Sequence, residues 1–127
     1  MTTPSVNPVP DGQRLFPYLV VRGAEQAIDF YVRAFQASES YRLEMGDQIG
    51  HAEISFAGVT VWLADEFPDA GFLAPSGSSP VSIVVYVPDV DAVAERAQSA
   101  GATLERPIRD EFYGDRTAVL RDPFGHR

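Results

Sequence analysis

At 127 residues with 45% hydrophobic side chains, the chain is long enough for one domain with a real core and too apolar for wholesale disorder. A formal net charge of −8 argues against a nucleic-acid partner, because phosphate-backbone binding needs clustered Lys and Arg; the acidity reads as a solubility device. The absence of cysteine excludes disulfides, thiol catalysis and Cys-ligated zinc, and it fits a cytoplasmic protein.

Residues 1–13 carry neither a basic region nor an apolar one and read as a flexible leader. No run approaches the roughly 18 apolar residues that span a bilayer, so no membrane partner is expected. Leu15 to Val21 is rich in β-formers and predicts a first strand. A helix then runs from Gly23 to about Phe35, with Ala27, Phe30 or Tyr31, and Ala34 at helical spacing. Ser38 to Met45 predicts the next strand, with Asp47 in a turn. His51 to Phe56 alternates with period two, Ala57-Gly58 makes a tight hairpin turn, and Val59 to Ala64 returns.

Residues 66–80 form a Pro-, Gly- and Ser-rich linker between a first module, 14–65, and a second, 81–127. Val81 to Val87 is an apolar run and predicts a buried strand. Asp89 is a plausible N-cap for a helix reaching about Ala100, with Val93, Ala97 and Ala100 on one face and Gly101 as its stop. Strands are expected over Thr103 to Ile108 and Ala118 to Arg121, with a turn at Asp122 to Gly125.

The chain thus says nearly the same thing twice. FPYLVVRGAEQAIDFYVRAF and VSIVVYVPDVDAVAERAQSA both read as strand, turn and helix, roughly 65 residues apart. Gly46-Asp47-Gln48 and Gly114-Asp115-Arg116 repeat the theme at the following hairpins. The expected class is α+β: two βαβββ modules, 14–127 forming a single domain. The second module stops short of its last strand at His126-Arg127, which predicts an unpaired sheet edge and suggests that this strand lies beyond the sequence given.

Several residues are candidates for chemistry. His51 and Glu53 share one face of a strand and can form a base or ligand pair; a solvent-facing pair is the simpler reading. Asp65-Glu66 can do acid/base work, or be solvated carboxylates. His126, after a turn, reads as structural. Asp115 and Arg116 read as an ion pair that locks a turn. Phe67, Phe72, Phe112 and Tyr113 lie in loops, as a lid, a dimer contact or loop anchors. There is no phosphate-cradling Gly-rich loop, no nucleophile elbow and no HExxH helix.

Pro17-Tyr-Leu-Val-Val21, Ala27-Ile-Asp-Phe-Tyr31, Gly50-His-Ala-Glu53, Ala64-Asp-Glu-Phe-Pro68, Phe112-Tyr-Gly-Asp-Arg116 and Asp122-Pro-Phe-Gly-His126 together resemble the vicinal oxygen chelate superfamily. Within it the chain is most similar to the glyoxalase/bleomycin resistance (PhnB-like) branch. The resemblance implies paired half-barrels around a cleft, and often a homodimer in which the partner chain completes that cleft. In metal-dependent members, four His, Gln or Glu ligands on the first and last strands of each module hold a divalent metal. Those positions fall here on Phe16, Trp62 and Ser82, with the fourth past Arg127. Two aromatics and a hydroxyl are poor ligands, so neither a metal nor another cofactor is expected and no catalytic residue is assigned.

The resemblance therefore implies a drug-resistance-type binding protein that sequesters a planar or aromatic small molecule, such as an antibiotic, in an apolar cleft. Phe16, Tyr18, Trp62, Ser82, Tyr86, Tyr113 and Arg116 are the expected ligand-binding residues. The alternatives are a glyoxalase-like lyase or isomerase, or a dioxygenase, either with metal ligands elsewhere or metal-free through His51, Glu53 or Asp65. A non-catalytic interaction module with a filled cleft is the third.

Overall fold

The structure, a computed structural model, describes residues 9–127; most of the leader expected over 1–13 lies outside the described residues. The first module is β1 (Tyr18–Val21), α1 (Ala24–Phe35), β2 (Ser38–Met45), β3 (Gln48–Phe56) and β4 (Val59–Asp65). Its sheet runs β1-β4-β3-β2, with β1 parallel to β4 and the other pairs antiparallel. Parallel pairing of β1 with β4 sets the first and last strands of the module side by side, with β1 at the sheet edge. Ala57 and Gly58 both take positive φ, 51° and 83°, the left-handed geometry that a two-residue hairpin demands.

Period-two alternation sorts this sheet into two faces. Leu19, Val21, Ala52, Ile54, Val61 and Leu63 are buried under α1, whose own buried stripe is Ala24, Ala27, Ile28, Phe30, Tyr31 and Ala34. Phe30, Ile54, Leu63 and Val21 are the largest fully enclosed side chains. The opposite face carries Tyr18, Trp62, Glu53 and Tyr41, which sit side by side in register across all four strands.

α1 begins without a capping side chain of its own: its N-cap is Gly23. Asp65, at the end of β4, supplies the cap instead. One carboxylate oxygen accepts from the Gly23 and Ala24 amides at 2.9 and 2.8 Å, and the other from the Ile49 amide at 2.8 Å. This negative group also sits at the positive end of the helix dipole. The solvated reading of Asp65 is corrected: it is only 9% exposed. Glu66 accepts from the Ala74 amide and pairs with Arg22.

The second module contains α2 (Val90–Ser99), β5 (Thr103–Asp110) and β6 (Arg116–Arg121), the last two forming an antiparallel ribbon. Asp89 caps α2 as expected, accepting from the Ala92 amide at 3.1 Å. Ala94 and Ala97 are the helix's buried positions, with Ala97 reaching the common core. Residues 81–87 correct the expectation of a buried strand. They belong to no strand, and Val81, Val84 and Tyr86 are exposed. The physical reason is that no ladder forms on this backbone; the Ile83 amide alone reaches across, to the Arg127 carbonyl at 2.9 Å. The repeat is thus realised in full by the first module, while the described residues of the second contain two ladder-paired strands and no closed barrel.

Two polar links tie the modules. The Tyr31 hydroxyl of α1 donates to Asp122, whose other oxygen accepts from the Phe124 and His126 amides at 2.8 and 2.9 Å. His126 Nε2 then donates to the Val20 carbonyl at 3.0 Å, a structural role that agrees with the sequence reading. Among the described residues no helix is long and apolar enough to cross a membrane.

Two outcomes follow. Asp65→Asn leaves a buried amide N–H facing the new side-chain NH2; with the weakened cap this costs about 2–4 kcal/mol in urea unfolding. Tyr31 is held well above its ordinary 10.0, by burial first and then by the Asp122 charge and hydrogen bond. A phenol raised in the folded state contributes stability that is fully present below the unfolded value and is lost as pH rises above it. Stability therefore declines above about pH 10, and Tyr31→Phe removes this site's share of the decline while costing about 2 kcal/mol at neutral pH. Urea midpoints at neutral and alkaline pH measure both effects.

Candidate functional site

The sheet face turned away from α1 holds a connected set of rings. Phe16 and Trp62 stack with centroids 4.5 Å apart and planes 22° from parallel. Tyr18 meets Trp62 edge-on at 5.7 Å, and His51 does so at 4.8 Å. Phe72, from the linker, lies 5.7 Å from Tyr18. Offset stacks and edge contacts of this kind each contribute about 0.5–1.5 kcal/mol beyond area burial. The face is half open: Tyr18 is 38% exposed and Phe72 40%.

Local backbone bonds hold Phe16 in place, although it precedes the first regular strand. The predicted strand start at Leu15 moves to Tyr18, but the Pro17 carbonyl still accepts from the Trp62 amide at 2.9 Å. Gln13 brackets the other side, its side-chain amide exchanging two 2.8 Å bonds with the Thr60 backbone. Trp62 is buried at its indole nitrogen, which has no hydrogen-bond partner. An orphaned donor of this sort costs roughly 1–3 kcal/mol.

One polar chain runs through the rings. Tyr18 Oη and His51 Nδ1 are 2.9 Å apart, and His51 Nε2 lies 3.0 Å from Glu53 Oε2. The His51 side chain is 20% exposed and that of Glu53 31%. The simpler reading of this pair as solvent-facing is corrected: the two are joined to each other and to Tyr18. Partial burial raises the Tyr18 phenol above its ordinary value, so the hydroxyl stays protonated at neutral pH. The spacing of His51 and Glu53 was visible in sequence, and Tyr18 was an expected ligand-binding residue; its contact with His51 was not foreseen, because that depends on the β1-β4-β3 order.

The remaining expected ligand-binding residues lie elsewhere. Ser82, Tyr86, Tyr113 and Arg116 line a cavity of about 790 Å³ whose other wall is Leu19, Phe30, Ile54 and Phe56, on the helix side of the first sheet. One chain therefore does not bring them to Phe16, Tyr18 and Trp62. This cavity lies between residues 81–87 and β6, where the first module has β4 between β1 and β3. Its first-module wall belongs to the core, while Val84 and Tyr86 on the other side are 80% and 81% exposed, so the space opens to solvent along residues 81–87.

Around that cavity the polar pairings differ from expectation. Arg116 does not lock its turn through Asp115; it pairs with Asp110 and Asp91 at 3.0 and 3.1 Å, joining β5, β6 and α2. Asp115 instead accepts from the Tyr86 hydroxyl at 3.0 Å. Phe112 is fully exposed beside Tyr113.

The residues present do not fit a divalent metal. Phe16 and Trp62 are stacked aromatic rings that offer a metal no lone pair at two of the expected ligand positions, and among the described residues no three His, Cys, Asp or Glu side chains converge. Asp65 is also unsuited to act as a base, since three backbone amides engage both its oxygens.

Comparison with known proteins agrees with this fold. An uncharacterised Mycobacterium tuberculosis protein, Rv0887c, is 44% identical over 118 residues, covering 88% of this chain and 69% of its own. The Mycobacterium bovis protein Mb0911c matches at the same identity, over 78% of its length. Among solved structures, TioX from Micromonospora sp. ML1 superimposes with a TM-score of 0.73 at 27% identity, covering 91% of this chain and 94% of that one. The fosfomycin resistance protein FosX from Listeria monocytogenes, complexed with Mn(II) and sulfate, shares the fold, with a TM-score of 0.70 at 17% identity over 91% of this chain and 85% of that one. The sequence profile of one family matches residues 14–127, nearly the whole chain, and the chain belongs to that family, the Glyoxalase/Bleomycin resistance protein/Dioxygenase superfamily.

Proposed function

We propose that the protein binds a planar aromatic small molecule, such as an antibiotic or other natural product, on the ring-lined face of its first sheet and sequesters it without chemistry. The observation that carries this is the Phe16–Trp62 stack, flanked edge-on by Tyr18 and His51 and half open to solvent. A flat ligand continues such a stack at little entropic cost, since the rings already hold one another in place. Stacking and apolar burial supply the affinity, each ring contributing on the order of 1–3 kcal/mol.

In this reading the working form is a cytoplasmic homodimer. Tyr41, Leu43 and Met45 stand about half exposed along β2, on the ring-bearing face. A second copy laid over that strip encloses the ligand, and its second module supplies the polar wall that a single chain keeps apart.

Titration with a panel of planar polycyclic compounds is expected to quench the fluorescence of Trp62, the only tryptophan, saturably and at one ligand per chain. Phe16→Ala weakens that binding about tenfold, and chelator leaves it unchanged. Absence of quenching across the panel, or stoichiometric metal in protein purified without chelator, overturns the reading. Sedimentation at tens of micromolar is expected to give a dimer mass for the natural chain and a monomer mass for Leu43→Glu; a monomer at all concentrations removes the dimer from the proposal.

A further inference from the structure

The Tyr18–His51–Glu53 chain has a direction, and the direction selects a ligand. A carboxylate accepts hydrogen bonds and donates none, so the 3.0 Å contact with Glu53 places the imidazole proton on Nε2. An imidazole carrying that single proton presents a bare Nδ1, and the 2.9 Å contact with Tyr18 is then filled by the phenol proton. With its one proton committed inward, Tyr18 Oη has only lone pairs left for anything outside. These lone pairs sit on a 38% exposed side chain at the edge of the ring stack. Each bond in such a chain polarises the next, so Tyr18 Oη is a better acceptor than an isolated phenol. The neighbours from the other strands, Trp62 on β4 and Tyr41 on β2, bring no charge that would reverse this order.

We propose that the site is selective for planar aromatic ligands carrying a hydroxyl donor, a phenol or enol, which donates to Tyr18 Oη. His51 and Glu53 act through Tyr18, as positioning residues that lock its hydroxyl inward. This inference rests on the aromatic face being the binding site.

Equilibrium dialysis with three probes of one ring size tests it: 2-naphthol, 2-methoxynaphthalene and 2-acetylnaphthalene. The natural protein is expected to bind 2-naphthol about tenfold tighter than 2-methoxynaphthalene, although the extra methyl favours the latter by burial. The ketone, an acceptor only, binds no better than the ether. Tyr18→Phe reduces the naphthol preference below about twofold. His51→Phe keeps an edge-on ring against Trp62 but frees the Tyr18 proton, so the ketone gains about tenfold relative to the ether. Glu53→Gln can turn either its oxygen or its NH2 to Nε2, so it no longer fixes the tautomer and the naphthol preference falls below about threefold; a purely structural role for these residues predicts no such pattern. Thermal unfolding of each variant confirms that it folds. Equal binding of naphthol and ether by the natural protein overturns the selectivity and leaves the aromatic site standing. Failure of all three probes to bind or to quench Trp62 overturns the site itself, and the selectivity with it.

Discussion

A single carboxylate organises the first module. Asp65 ends β4, and its two oxygens hold the first amides of α1 and the first buried amide of β3. Three segments that are distant in sequence converge there, and a charged acceptor with three backbone donors is strong in a low-dielectric interior. Because β4 is the strand that carries Trp62 and pairs with β1, the same anchor fixes the register on which the ring cluster depends. A one-residue slip of β4 would exchange the two faces of the sheet, placing Trp62 under the helix and Leu63 in solvent.

The link between modules is built differently. Tyr31, Asp122 and His126 form a polar path from α1 through the final turn to the Val20 carbonyl. It runs along one side of the shared core, with Phe30 and Phe124 in edge contact beside it. The helix of one module is thereby fastened to the last turn of the other. The side chains of Phe16, Tyr18 and Trp62 form none of the hydrogen bonds in this fastening.

Much of this was legible in the sequence, and for identifiable reasons. The duplication, the helices and the hairpin at Ala57-Gly58 follow from local periodicity and turn chemistry. Phe16 and Trp62 could be singled out together because a family resemblance supplied a correspondence between strands. What local pattern does not contain is pairing. Asp65 looks like any acidic strand end until β3 and the β1–α1 turn are brought against it. Tyr18 and His51 meet only through the β1-β4-β3 order. Residues 81–87 failed for the converse reason: their composition suits a buried strand, but a strand requires a neighbour's backbone, which composition does not encode.

Gln13 has a consequence for where this domain begins. Its side-chain amide exchanges donor and acceptor with the Thr60 backbone as a strand residue would, one step before β1 takes up the pairing. Together with the Pro17–Trp62 bond it closes a short bracket around Phe16, clamped from both sides. Similarity to the family starts one residue later, at 14. The matched family sequence therefore omits one of the two contacts that flank Phe16, and a fragment starting at 14 holds that ring through the Pro17–Trp62 bond alone.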